Sequence, residues 1–319
     1  MEINLDPELQ AVMEAMAAAN PNPPDFTELP IEMFRAGYQM IADAQALADI
    51  ACDTVQDIQV PGGAGPIGAR LYVPAGSGSE TLPGLIFIHG GGFMIGSLDT
   101  HDSTCRQLAN AAQCRVVALD YRLAPEHQFP AAVDDVIAAA THIRANAGQY
   151  GMDPDKLAIG GDSAGGNLSA IVCNHFAAQG DAPLALQLLI YPATDNTIET
   201  ESRRELTEGI TLDRKTLDYF FEGYVGGLDV DGSDPRLNPA KAPGFTGVTP
   251  AHIVTAQYDP LRDEGKAYGD LLAAAGVAVS YRCYDGLMHN FIMQTAVVSA
   301  AKSAVDDMAA ALSQAFSST

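Results

Sequence analysis

Ser163 stands in Gly161-Asp162-Ser163-Ala164-Gly165, a Gly-x-Ser-x-Gly pattern that can seat a hydroxyl nucleophile on a sharp turn. Glycines flank the serine because side chains would clash at such a turn. A helix N-terminus behind Ser163 favours developing negative charge. The chemistry implied is acyl transfer, which passes through an oxyanion. Preorganised N–H donors stabilise that oxyanion by ~3–4 kcal/mol each. His89-Gly90-Gly91-Gly92 follows the apolar run LIFI, and its glycines let backbone N–H groups approach a ligand closely. Gly91 and Gly92 are candidate donors, and Ala164 is the third.

A hydroxyl near neutral pH needs a general base, and the base needs an orienting carboxylate. The chain has seven histidines. His89 belongs to the glycine loop. His101, His127, His142, His175 and His252 fall on helices, early loops or a strand start and read as structural. His289 lies late, in the loop YDGLMHN, and suits the order Ser, Asp, His. Asp259, just after HIVTAQY, is the candidate carboxylate. Asp263 and Glu264 are rivals that read better as charges capping the next helix. Asp285 is a further rival, placed in a turn by Gly286. Phe93, Asp162 and Leu287 adjoin these motifs and are candidate substrate-binding residues.

The elements around these residues alternate between strand and helix. Two amphipathic helices are expected first, over PELQAVMEAMAAAN and LPIEMFRAGYQMIADAQALA. The Met and Phe stripe of the second reads as packing that could also serve a lid. CDTVQDIQV and IGARLYV read as a hairpin turning through PGGAGP. That turn is not a phosphate loop, since neither a helix nor a Lys follows it. LPGLIFI, CRVVALD, DKLAIGG, APLALQLLIYP, AHIVTAQ and VAVSYRCY read as strands. Between them run STCRQLANAAQ, a long helix from Phe129 stopping at Gly148 or Gly151, AGGNLSAIVCNHFAAQG, and a helix from Asp263 to Ala275. A last helix follows Phe291. This alternation predicts an α/β fold with a mostly parallel sheet covered on both faces. Residues from about Asp195 to Asn238 break it and read as an insertion over the sheet, with one helical piece, DRKTLDYFFEGYV. DVDGSDP reads as an ordinary turn, because its spacing does not match a calcium loop.

The chain has 319 residues, five cysteines and a net charge of −23. That charge argues against nucleic acid and anionic membranes as partners. It serves solubility through self-repulsion, and adaptation to salt or cold is the sharper alternative. An odd cysteine count without a Cys-x-x-Cys reads as reduced thiols in the cytoplasm. No signal peptide is visible in MEINLDPELQ, and no apolar run reaches the ~18 residues of a membrane span.

Taken together, His89-Gly90-Gly91-Gly92-Phe93, Asp120-Tyr121-Arg122-Leu123-Ala124-Pro125-Glu126, Phe129-Pro130-Ala131-Ala132, Gly161-Asp162-Ser163-Ala164-Gly165-Gly166 and Asp259-Pro260-Leu261-Arg262-Asp263-Glu264-Gly265 resemble the bacterial hormone-sensitive lipase group (family IV) of α/β-hydrolases, from about residue 50 onward. The resemblance implies an α/β-hydrolase fold with an eight-stranded sheet and a helical cap. Residues 51–194 and 241–319 would form the catalytic domain. Residues 1–50 and the 195–240 insertion would form the cap, over the acyl and alcohol pockets. It implies a Ser163, Asp259 and His289 triad, an oxyanion hole from Gly91, Gly92 and Ala164, and no metal or organic cofactor. It also makes a homodimer through the last strand an expectation. One departure is visible: the residue after the catalytic histidine is usually Gly, and here it is Asn290. This should alter the loop's backbone freedom rather than the chemistry. The Tyr-Arg-Leu-Ala-Pro-Glu stretch is expected to brace the sheet and the oxyanion loop. The expected activity is hydrolysis of small-molecule esters with short to medium acyl chains. Deacetylation, or cleavage of lactones or amides, is the alternative on the same triad. A non-catalytic receptor on this fold is opposed by the intact triad.

Overall fold

In this computed structural model residues 3–208 and 211–318 are described. Residues 1, 2, 209, 210 and 319, which belong to the expected cap and C-terminal segments, lie outside the described residues. The first elements are two helices. Asp6 accepts hydrogen bonds from the N–H groups of Glu8 and Leu9, and Pro7 sits in the first turn, so α1 runs Pro7–Ala19. α2 spans Ile31–Gln45 and buries Phe34, Tyr38 and Ala42 on one face.

The expected hairpin follows: β1 (Cys52–Pro61) pairs antiparallel with β2 (Pro66–Pro74) through the glycine turn. The remaining elements are β3 (Leu82–Ile88), α3 (Asp102–Ala112), β4 (Arg115–Asp120), α4 (Ala131–Ala145), β5 (Met152–Asp162), α5 (Ala164–Gln179) and β6 (Leu186–Ile190). They are followed by α6 (Glu201–Glu205), α7 (Arg214–Val225), β7 (Ala251–Tyr258), α8 (Arg262–Ala274), β8 (Val279–Met288) and α9 (Ser299–Ser318). One eight-stranded sheet results, in the order β1-β2-β4-β3-β5-β6-β7-β8. β2 joins β4 antiparallel, and every pairing from β4 to β8 is parallel. Leu85, Ile86, Phe87 and Ile88 of β3 are all fully buried. A continuous apolar run of this kind belongs to a parallel strand covered on both faces. α3 packs on α9 and α4 packs on α5.

Two boundaries differ from expectation. α4 ends at Ala145, short of Gly148 and Gly151. Asn146 leaves helical geometry with φ −126° and its side chain donates to the His142 carbonyl at 2.8 Å, which closes the helix. A separate 3₁₀ turn, Ala147–Tyr150, then leads to Gly151. β8 runs on to Met288, so Asp285 lies in a strand rather than a turn. The pairing shifts between Ala256–Tyr284 and Tyr258–Met288, which makes a bulge around Gly286. The bulge carries β8 to the residue before His289.

Candidate active site

The strand-to-helix turn from β5 to α5 holds Ser163 at φ 54° and ψ −115°, a backbone conformation that costs about 1–3 kcal/mol. Its surroundings impose that conformation. The Ser163 N–H donates to the Ile190 carbonyl at 2.8 Å, and its carbonyl accepts from the Asn167 N–H at 3.0 Å. β3 passes so close that a Cβ on Gly161 or Gly165 would sit 2.1 Å or 1.9 Å from the Ile88 carbonyl oxygen. Only glycine fits at either position, which is why the motif has the spacing it has.

Two other strand ends reach the same point. His289, just past β8, places Nε2 3.0 Å from Ser163 Oγ and Nδ1 2.7 Å from Asp259 Oδ2. A carboxylate only accepts, so Nδ1 carries the proton and Nε2 accepts from the serine hydroxyl. Asp259 Oδ1 accepts from the Leu261 N–H at 2.8 Å, so both carboxylate oxygens are held. The Tyr191 ring lies 4.5 Å from the His289 ring. Asn290 adopts φ 68°, the left-handed conformation that Asn tolerates better than other non-glycine residues. Asn290 thus holds a conformation that glycine also accepts.

The rival carboxylates do other work. Asp263 and Glu264 lie in the first turn of α8 but do not cap it. Glu264 Oε1 accepts from the Thr194 N–H at 2.8 Å, Oε2 lies 2.5 Å from Arg203, and Asp263 accepts from the Ser202 N–H at 2.7 Å. They tie the 194–203 segment to the start of α8, with both charges in its first turn but no side-chain hydrogen bond to its N-terminus.

Gly91, Gly92 and Ala164 line one cavity together with Ser163 and His289. The glycine loop is held from several sides. Met94 and Ile95 N–H groups donate to the Gly91 carbonyl, and the Phe93 carbonyl accepts from the Ala124 N–H. Tyr121 Oη donates to the His89 carbonyl at 2.9 Å. Arg35 of α2 donates to the Met94 carbonyl and pairs with both oxygens of Glu126. The Asp120–Glu126 stretch thus braces the loop, and α2 clamps it from above.

A second His–Asp pair lies behind Ser163. Gly90 N–H donates to Asp162 Oδ1 at 2.8 Å, and His101 Nε2 stands 3.1 Å from the same oxygen. The latter is an ion-pair distance without the alignment of a good hydrogen bond. All three residues are buried. Burial pushes the Asp162 carboxyl up, but the charge and contact of His101 and the Gly90 N–H outweigh it and hold the group below its ordinary value. Burial, then the nearby charge of His101, lowers His89 to about 4. The sequence assigned His101 only to structure. Its one visible signal was indirect: a buried carboxylate beside the nucleophile requires a partner.

The cavity has a volume of about 760 Å³. Phe34 and Tyr38 of α2, Phe220 of α7 and Met293 form much of its apolar wall. Phe93 lines it too, with its ring stacked 3.9 Å from Tyr224. Asp162 and Leu287 do not line it. Both are fully buried, and Asp162 points behind the glycine loop. Lys215 of α7 pairs with Asp25 and Glu28 across the mouth. In 229–235, Asp231 accepts from the Ser233 N–H and hydroxyl and Asp234 pairs with Arg236, which is a turn. Among the described residues no group of three or more His, Cys, Asp or Glu could hold a metal. No helix among them is long and apolar enough to cross a membrane.

Comparison with known proteins fits this geometry. A family profile described as "alpha/beta hydrolase fold" matches residues 85–293. The carboxylic ester hydrolase LipN of Mycobacterium tuberculosis is 44% identical over 263 residues, covering 81% of this chain and 69% of LipN. An alpha/beta hydrolase from the metagenome of Lake Arreo, Spain, solved as a mutant and named LAE6, superposes with a TM-score of 0.94 at 43% identity, covering 98% of this chain and 99% of that one. A hyperthermophilic esterase from Pyrobaculum calidifontis superposes with a TM-score of 0.90 at 35% identity, covering 98% and 99%.

Proposed function

The chain belongs to the alpha/beta hydrolase fold family, in its hormone-sensitive lipase-like branch, and is a carboxylic ester hydrolase; we propose that Ser163, His289 and Asp259 carry the reaction on esters with short to medium acyl chains. The observation behind this reading is the relay from Ser163 Oγ through His289 to Asp259, with separations of 3.0 Å and 2.7 Å, at the floor of a cavity that Gly91 and Gly92 also line.

His289 Nε2 takes the Ser163 proton as Oγ attacks the ester carbonyl. The carbonyl π pair moves to oxygen, where the N–H groups of Gly91, Gly92 and Ala164 receive it. Collapse expels the alkoxide, which takes the proton from His289. Water then attacks the acyl-enzyme with His289 as base, and the acid leaves. Asp259 keeps the imidazole oriented and offsets its charge during both halves.

The acyl-chain reading is supported by the aromatic side chains Phe34, Tyr38 and Phe220 that line the cavity with Ser163. We assign these three to a cap built from residues 1–50 and 195–240. Rates on p-nitrophenyl esters of increasing length test this. A steep fall beyond about six to eight carbons is expected, and rising activity on emulsified long-chain triglyceride would contradict it. Ser163→Ala should abolish hydrolysis, and a residual acylation burst in that variant would sink the triad reading. β8 ends the sheet order, and among the described residues no strand pairs with its outer side, which supports a homodimer through this strand, to be checked by light scattering. Five unpaired cysteines support a reducing, cytoplasmic setting, to be checked by cell fractionation.

A further inference from the structure

We propose that His101 is a positioning residue for the oxyanion loop: as the buried partner of Asp162, it fixes Gly90 and, through it, the N–H groups of Gly91 and Gly92. The inference rests on the reading that these N–H groups hold the oxyanion.

Thr100 Oγ1 lies 2.9 Å from the Ser97 carbonyl and accepts from the Ser97 N–H at 2.8 Å. His101 Nδ1 shares a hydrogen bond with the same oxygen at 2.8 Å, which fixes the ring. Nε2 faces Asp162 Oδ1 at 3.1 Å. A bare lone pair there would repel the carboxylate, whereas an N–H is attracted to it, so Nε2 presents its N–H to Asp162.

The geometry then sets the consequence. Asp162 Oδ1 is shared between His101 and the Gly90 N–H, 2.8 Å away. A Cβ on Gly90 would lie 2.4 Å from Asp162 Oδ2, so the carboxylate packs directly on the loop backbone. Gly90 is joined to Gly91, whose carbonyl closes the turn onto Met94 and Ile95. A carboxylate without its partner in this buried place would turn or draw in water, and the loop resting on it would move. Donors must stand about 2.7–3.1 Å from the oxyanion position, so a small shift weakens them.

The test uses the full-length enzyme and a trifluoromethyl ketone with a short alkyl chain. Ser163 Oγ bonds to the ketone carbon, the π pair goes to oxygen and the serine proton goes to His289. This adduct carries the oxyanion. The alcohol of the same chain binds without it. His101→Gln and Asp162→Asn should each lower kcat by roughly ten- to hundredfold, less than loss of a whole donor. Affinity for the trifluoromethyl ketone should fall by the same factor, with KM and alcohol affinity within about twofold. The double variant should lose no more than the worse single one. Should either variant fail to fold, Thr100→Val, which removes the hydrogen-bond partner of His101 Nδ1, should show a smaller loss with the same signature. Variants that keep their trifluoromethyl ketone affinity, or lose alcohol affinity equally, overturn the positioning role. A wild-type enzyme that binds the trifluoromethyl ketone no more tightly than the alcohol overturns the oxyanion reading itself.

Discussion

Two buried His–Asp pairs flank Ser163, and they are wired in opposite senses. In His289–Asp259 the carboxylate takes Nδ1, which leaves Nε2 free to face the serine hydroxyl at 3.0 Å. In His101–Asp162 it is Nε2 that faces the carboxylate, and Nδ1 is spent on Thr100. The first imidazole opens onto the cavity and can pass a proton to a reacting atom. The second is enclosed, and it faces the carboxylate that accepts from the Gly90 N–H of the glycine loop. Residue types alone do not distinguish a general base from a brace. The direction in which the ring nitrogens are satisfied does.

The contrast can be broken most forcefully at His289. His289→Gln should lower kcat by about 10⁶-fold and Asp259→Asn by about 10⁴-fold with the fold intact, measured on p-nitrophenyl butyrate. The two pairs would be functionally alike if His101→Gln cost as much. The comparison sharpens in acid stability. His89, packed on His101, titrates at about 4 in the folded chain against an ordinary 6.5. The unfolded chain therefore binds the extra proton first, and stability falls as pH drops from 6.5 toward 4, by up to about 3 kcal/mol. Urea melts of His89→Gln should show that slope removed. Asp162, held below its ordinary 3.8, adds its own loss only at still lower pH. A slope unchanged by His89→Gln would place the acid sensitivity elsewhere. The smallest effect belongs to the backbone after His289. Asn290→Gly should leave kcat within about twofold, since both residues accept φ 68°, whereas Asn290→Ala should cost about 1–2 kcal/mol in a thermal melt.

The legible parts of the molecule are those where local chemistry is tied to a strand end. Ser163, Asp259 and His289 each follow a strand, and the sequence pattern locates β5, β7 and β8. Glycines mark where backbone must pass backbone, as at Gly161 and Gly165 against Ile88. Side-chain direction was harder. Asp162 is the last residue of β5, and neighbours along an extended chain point to opposite sides. A residue beside the nucleophile in sequence therefore faces away from the substrate. Leu287, two residues before His289, is fully buried and absent from the cavity lining for a different reason, which is tertiary packing rather than alternation. The cavity walls had no local signal at all. Phe34, Phe220 and Met293 come from three distant segments, and only the folded chain brings them together. Asp263 and Glu264 looked like helix caps by position, yet they hold the 194–203 segment, a contact set by tertiary packing.

In the proposed reaction Ser163 receives the acyl group. The most direct test is reaction with an alkyl p-nitrophenyl phosphonate, followed by peptide mass spectrometry. Release of one equivalent of p-nitrophenol per chain, a phosphonyl adduct on Ser163 alone, and no labelling in His289→Gln are expected. An adduct on another residue, or equal labelling of Ser163→Ala, would contradict it.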